Sequence, residues 1–154
     1  MDVNFELCDK TFCDIADVSG DRLDINSEPH ECQVVTLVWH TAGLVMNGGF
    51  GYLLEATIVG DPHLLMTERA FSAIGATRAF DAFHEMMTLF PGCTPPQDVK
   101  ERARIYELHP KSVKDAIGRR FYAAEGEVER CLALYIHQHQ EAIDVFVRRG
   151  RADS

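Results

Sequence analysis

The chain has 154 residues, 46% of them hydrophobic and 25% charged. That is about one domain's worth of chain, long enough to build a core without disulfides or a structural metal, and the composition excludes wholesale disorder, collagen and coiled-coil rods. The net charge of −9 is concentrated at the start, where residues 1–31 carry nine acids against Lys10 and Arg22. The most basic stretch, Lys100 to Arg120, is interrupted by Glu101, Glu107 and Asp115, which disfavours direct binding to DNA or RNA.

Taken in chain order, residues 1–25 show no clean period. Phe5, Leu7, Phe12, Ile15, Val18, Leu23 and Ile25 would fit short strands, a helix or an arm lying on the body. The expectation is an acidic, irregular or short-stranded segment over 1–28, packed on a helical domain over 29–150. Ser27-Glu28-Pro29 can cap a helix running to about Met46, closed by Asn47-Gly48-Gly49. Its interior is apolar on most sides, which predicts a central, buried helix; the β-branched run Val34-Val35-Thr36 leaves a strand as runner-up, and length favours the helix.

A short apolar segment, Phe50 to Ala56, follows. Asp61-Pro62 and Gly75 then frame a helix with Leu65, Ala70 and Ile74 inward. Phe80, Phe83, Met87 and Phe90 form one apolar stripe that Pro91-Gly92 ends, and Thr94-Pro95-Pro96 makes a loop. A polar helix near 98–108 stops at Pro110, Ser112 can cap another through Phe121 and Tyr122, and Glu127 to Arg148 reads as one long closing helix. The whole is expected to be a mostly α, single-domain bundle of about six helices.

No apolar run is long enough for a membrane-spanning helix, and the Asp-rich start lacks the features of a signal peptide, so a cytoplasmic location without membrane contact is expected. Five cysteines without framework spacing read as free thiols.

The strong enzyme signatures are absent: there is no G-x-S-x-G, H-E-x-x-H or P-loop. His137 and His139 would point about 200° apart on a helix, so they read as a solvated face, and neither a metal nor a cofactor is expected. Cys93 follows Pro-Gly with no neighbouring cation to activate it. His40 and His84 lie beside apolar stripes and read as half-buried, hydrogen-bonded side chains. The corner Asn47-Gly48-Gly49-Phe50 could cradle a phosphate, but it lacks a preceding strand and a following Lys-Ser/Thr. It reads better as a structural turn in which glycines supply positive φ and close packing while Phe50 plugs the core.

Val45-x-Asn47-Gly48-Gly49-Phe50, Ala70-Phe71-x-x-Ile74-Gly75-Ala76, Leu89-Phe90-Pro91 with Arg102 and Arg104 downstream, Phe121-Tyr122, and Leu134-Tyr135-Ile136-x-x-His139 together span most of the chain. In this combination the sequence resembles the family of all-helical bacterial domains of unknown function typified by the neisserial DNA mimic protein. The resemblance implies a helical, non-enzymatic protein that is dimeric and whose carboxylates stand in for DNA before a helix-turn-helix transcription factor.

The resulting expectation is an acidic binding module for a basic protein partner, with Asp14, Asp17, Asp21 and Asp24 as its candidate contact face. A charge that serves solubility alone is the plainer reading. The alternative of another class is a small-molecule binder or enzyme with a pocket beside the corner, using His40, Asn47 and Tyr52.

Overall fold

The computed structural model describes residues 2–20 and 24–153. Among these residues are eight α-helices and no strand: α1 (Val3–Ser19), α2 (His30–Leu54), α3 (Leu65–Ala73), α4 (Thr77–Met87), α5 (Val99–Glu107), α6 (Lys111–Ala123), α7 (Glu125–Gln138) and α8 (Gln140–Ala152). Two 3-10 turns, Ile25–Ser27 and Pro91–Cys93, link them.

Where an irregular or short-stranded segment was expected, α1 is a regular helix of 17 residues, started by the Asp2 carboxylate, which accepts the Asn4 N–H at 2.8 Å. Its buried face is Cys8, Thr11 and Ile15, spaced i, i+3, i+7. Two of those three are weakly apolar, so the helical period is present but nearly silent on a hydrophobic scan. The helix lies against α2, α7 and α8.

The hub is α2, which packs on α1, α3, α5, α6, α7 and α8. It bends at Gly48 and Gly49 and then runs on to Leu54, so most of the segment from Phe50 continues the helix. The next helix begins later than its sequence signal suggests. The Asp61 carboxylate accepts from Met66 N (2.9 Å), Thr67 N (2.9 Å) and Thr67 Oγ1 (2.7 Å), capping α3 from four residues before its start. Leu64, at φ 60°, turns fully into the core and leaves Leu65 37% exposed, so the inward residue is Leu64 and not the expected Leu65.

In α4, Phe83 and Met87 are buried, as is Phe90 just beyond it, while Phe80 is half-buried beside His84, their rings stacked 6.0 Å apart. Asp98 caps α5, and Pro110, not Ser112, stands at the start of α6. The expected single closing helix is two: His139, at φ −119° and ψ 20°, breaks it with neither Gly nor Pro, its ring against Tyr135 at 4.2 Å. That break and α1 account for eight helices instead of six.

The centre of the core is aromatic. Phe50 sits 5.3 Å from Phe121 and 6.0 Å from Phe83, and Phe71 lies 5.6 Å from Phe83 and 5.7 Å from Phe121, measured between ring centroids. Such contacts add about 0.5–1.5 kcal/mol each beyond the area they bury. Beside this core Arg102 is 1% exposed, an unusual place for a guanidinium. It donates to the carbonyls of Pro96 (2.7 Å), Ala56 (3.0 Å) and Pro62, tying the α2–α3 connection to the loop before α5. Burial lowers its pKa and the nearby Asp61 charge partly offsets that.

Candidate functional site

The glycine corner has two distinct constraints. Gly49 has φ 73°, which costs any residue with a Cβ. Gly48, at φ −153°, is constrained by space, since a Cβ there would stand 2.5 Å from Tyr52 Cδ1. The bend redirects the helix so that Phe50, 1% exposed, enters the aromatic cluster. Tyr122, from α6, donates its hydroxyl to the Val45 carbonyl at 3.0 Å and braces the turn. On the outer side lies an open cavity of about 620 Å³ lined by the corner glycines, Tyr106, Tyr122, Lys111 and Lys114. Its two lysines are paired with carboxylates, Lys111 with Asp115 at 2.6 Å and Lys114 with Glu107 at 3.4 Å; Lys114 also stands 5.1 Å over the Tyr106 ring, and Arg119 lines the cavity beside them.

The three residues of the pocket alternative go to three places. Asn47 lines a groove between α1, α2 and α7, His40 lines another with Phe12, Ile58 and Val59, and Tyr52 lies over Gly48, 48% exposed. His40, expected to be half-buried and hydrogen-bonded, is exposed, although the partial desolvation of its ring lowers its pKa.

The acidic positions are likewise separated. Asp14 is held by Lys10 at 2.6 Å and by Arg151 of α8 at 3.0 Å. Asp24 caps the first 3-10 turn through Asn26 N at 2.9 Å, and Asp21 lies outside the described residues. Asp17 is exposed. It shares a face of α1 with Glu6, Asp9 and Cys13, because positions 6, 9, 13 and 17 recur at i+3 and i+4, opposite the buried Cys8, Thr11 and Ile15. Among the described residues no cation lies within ion-pair distance of Glu6, Asp9 or Asp17.

At the first half of α1 this acidic face borders the groove, a cavity of about 310 Å³ assembled by helical spacing from three elements. From α1 come Phe5 and Asp9, at i and i+4; from α2 come Trp39, Gly43 and Met46, at i, i+4 and i+7, with Ala42 and Asn47 beside them. From α7 come Glu125, Val128 and Glu129. The Phe5 and Trp39 rings meet edge to face at 5.3 Å, and the Trp39 indole N–H donates to Asp9 at 3.1 Å. Glu127, two positions from each of its neighbouring glutamates, points the other way. Its carboxylate accepts the N–H groups of Arg78 (2.9 Å) and Ala79 (3.2 Å), capping α4.

Glu125 and Glu129 therefore share the groove side without the partners Glu127 has. Burial raises the pKa of Glu129, and the charges of Asp2 and Glu125 raise it further; Asp2 is close enough to hydrogen-bond it, while Arg130 only partly opposes the shift. This like-charge cluster is the feature that sequence reading missed, because its members lie on helices far apart in the chain. The available signals were the i, i+4 pair Glu125/Glu129 and the exposed aromatic Phe5 near Asp9.

The five cysteines are unpaired, and burial pushes the thiols of Cys8 and Cys32 up to about 12. Among the described residues no three His, Cys, Asp or Glu side chains converge as a metal-ligand set, and no helix is long and apolar enough to cross a membrane.

Comparison with protein families gives a match to the model described as DMP19-like protein, over residues 26–139. No curated protein and no solved structure matches significantly. The matched span runs from the first 3-10 turn to the break between α7 and α8, and so includes the glycine corner, the aromatic core and Arg102. It begins after α1.

Proposed function

Since this chain belongs to the DMP19-like protein family, we propose that it is a non-enzymatic binding protein, presenting carboxylates to the basic, DNA-contacting surface of a DNA-binding protein. The observation that carries this reading is the exposed face of α1, where Glu6, Asp9 and Asp17 follow one another at helical spacing without a compensating cation among the described residues. Fixed, unpaired charges of one sign steer a basic partner and repel nucleic acid. Glu125 and Glu129 extend the same sign onto α7. A helix-turn-helix transcription factor has the required basic face, since it contacts DNA largely through phosphates.

The test is affinity capture from a lysate of the source organism, followed by elution with double-stranded DNA at low salt. A retained protein that the duplex displaces, and that Glu6→Gln/Asp9→Asn/Asp17→Asn together fail to retain, supports the reading. Equal capture by the triple variant, or retention that DNA does not disturb, overturns it.

The second reading, a small-molecule pocket beside the corner, draws on the open cavity at Tyr106 and Tyr122. The pairing of both its lysines with carboxylates leaves that reading less support.

A further inference from the structure

The groove between α1, α2 and α7 combines two surfaces seldom left together in the open. Phe5, Trp39, Met46 and Val128 give it an aromatic and flexible apolar lining, and Asp9, Glu125 and Glu129 stand among them. Its volume of about 310 Å³ is at the small end of ligand sites, large enough for one long side chain. Charge decides which kind. A neutral apolar guest would dry the carboxylates without replacing their water, and an anion would add a like charge to a site where like charges already crowd. A compact, strongly hydrated cation would leave the rings uncovered.

Arginine meets both surfaces at once. Its guanidinium is planar, weakly hydrated, stacks on aromatic rings and forks onto carboxylates, while its methylene stem covers apolar area. We propose that this groove receives an arginine side chain of the protein partner, its stem on Trp39 and Phe5 and its guanidinium among Asp9, Glu125 and Glu129. This inference rests on the partner-binding reading above and deepens it, adding one anchored side chain to an otherwise diffuse electrostatic contact. The raised pKa of Glu129, which comes first from burial and then from the charges of Asp2 and Glu125, agrees, since an arriving cation would favour the ionised carboxylate against both.

The chain has a single tryptophan, so the Trp39 indole N–H resonance reports the groove without ambiguity, and its hydrogen bond to Asp9 ends on one of the carboxylates in question. The probe is N-acetyl-arginine methylamide titrated into isotope-labelled protein, with the citrulline analogue, equal in shape and uncharged, as its control. The expected result is a saturable shift of the indole resonance with arginine, and binding of citrulline roughly fivefold or more weaker. Gly43→Leu supplies the independent arm. A Cβ at Gly43 meets nothing within 4 Å, and leucine suits a helix better than glycine, so this variant fills the groove while keeping every charge. It should abolish the arginine response with circular dichroism unchanged.

Absence of a saturable shift, equal binding of citrulline, or an unchanged response in Gly43→Leu would each overturn the proposal. So would an indole resonance that moves with protein concentration alone, which would give the groove to a second copy of the chain. The two readings fail separately. If the triple α1 variant loses a DNA-displaceable partner while arginine leaves the indole unmoved, only the groove assignment falls; a normal arginine response without such a partner removes only the DNA-mimic reading.

Discussion

Arg102 and Glu129 are both ionisable side chains withdrawn from water, and their surroundings are opposite. Arg102 lies fully inside, and three backbone carbonyls from two loops accept its hydrogen bonds, with the Asp61 carboxylate near enough to favour its charge. Glu129 is only partly covered; burial raises its pKa first, and the charges of Asp2 and Glu125 add to that shift while Arg130 opposes it only in part. A buried charge with a full set of partners fixes the geometry of what surrounds it, here the α2–α3 connection against the loop before α5. A charge crowded by its own kind opposes folding and has stabilisation still to gain from an outside cation. The first arrangement is therefore read as structural and the second as a surface for binding.

The largest expected effect breaks the structural half of this comparison. Arg102→Met removes the donors that three carbonyls on half-buried residues share and leaves the two loops untied, which should cost about 3–5 kcal/mol and lower the Tm by roughly 10 °C. Arg102→Lys should recover little, because an ammonium cannot reproduce the planar fork that reaches Ala56, Pro62 and Pro96 together. Urea unfolding reads both variants; a loss under about 1 kcal/mol for the methionine would show that the loops hold without the guanidinium.

Next in size is the corner. Gly49→Val forces a β-branched residue to positive φ and should cost about 1–3 kcal/mol. Gly48→Val should also destabilise, because its Cβ would meet Tyr52 Cβ at 2.7 Å, an atom that no rotamer change moves, so the helix backbone itself must shift. Equal thermal stability of wild type and both variants would remove the structural role of the turn.

Much of this end of the molecule is legible in the sequence, since glycine, proline and capping Asp act locally. Asn47-Gly48-Gly49 marks the bend, Asp98 the start of α5, and Pro91-Gly92 the end of the Phe83 stripe. What the sequence conceals is non-local. The inward face of α1 uses Cys8 and Thr11, His139 breaks a helix without a breaker residue, and Arg102 sits in a segment whose polarity suggests solvent. Asn47 is the one groove residue singled out by sequence; Asp9, Trp39, Glu125 and Glu129 become neighbours only when three helices meet.

A smaller effect separates crowded carboxyls by their response to pH. Burial also raises the pKa of Glu28, which is 4% exposed and accepts hydrogen bonds from Ser19 and Thr36, both at 2.9 Å. A carboxyl whose pKa is higher folded than unfolded favours the folded state most when protonated. Its contribution is complete below the ordinary value of 4.5 and is lost as pH rises through the higher, folded value. Glu28→Gln and Glu129→Gln should each flatten the decline of stability between that value and neutrality. In urea midpoints taken across this range, a decline as steep in both variants as in wild type would remove these carboxyls as its source.

The smallest effect tests the comparison within a single helix, between Asp14 and Asp17. Asp14 is already spent on Lys10 and Arg151, exposed pairs of the kind worth roughly 0.2–1 kcal/mol, so Asp14→Asn should lower stability by no more than that. Its charge is locally compensated, and association with a basic partner should be nearly unaffected. Asp17 has no such pair among the described residues and stands in the row with Glu6 and Asp9. Asp17→Asn should leave the unfolding midpoint unchanged while slowing association, and the difference should shrink as salt screens contacts beyond about 8 Å. The measurement is the association rate of each variant with the captured partner at two salt concentrations, beside its urea midpoint. If Asp14→Asn slows association as much as Asp17→Asn, pairing does not decide which carboxylates a partner meets. The contrast drawn from Arg102 and Glu129 would then hold in the interior but not at the surface.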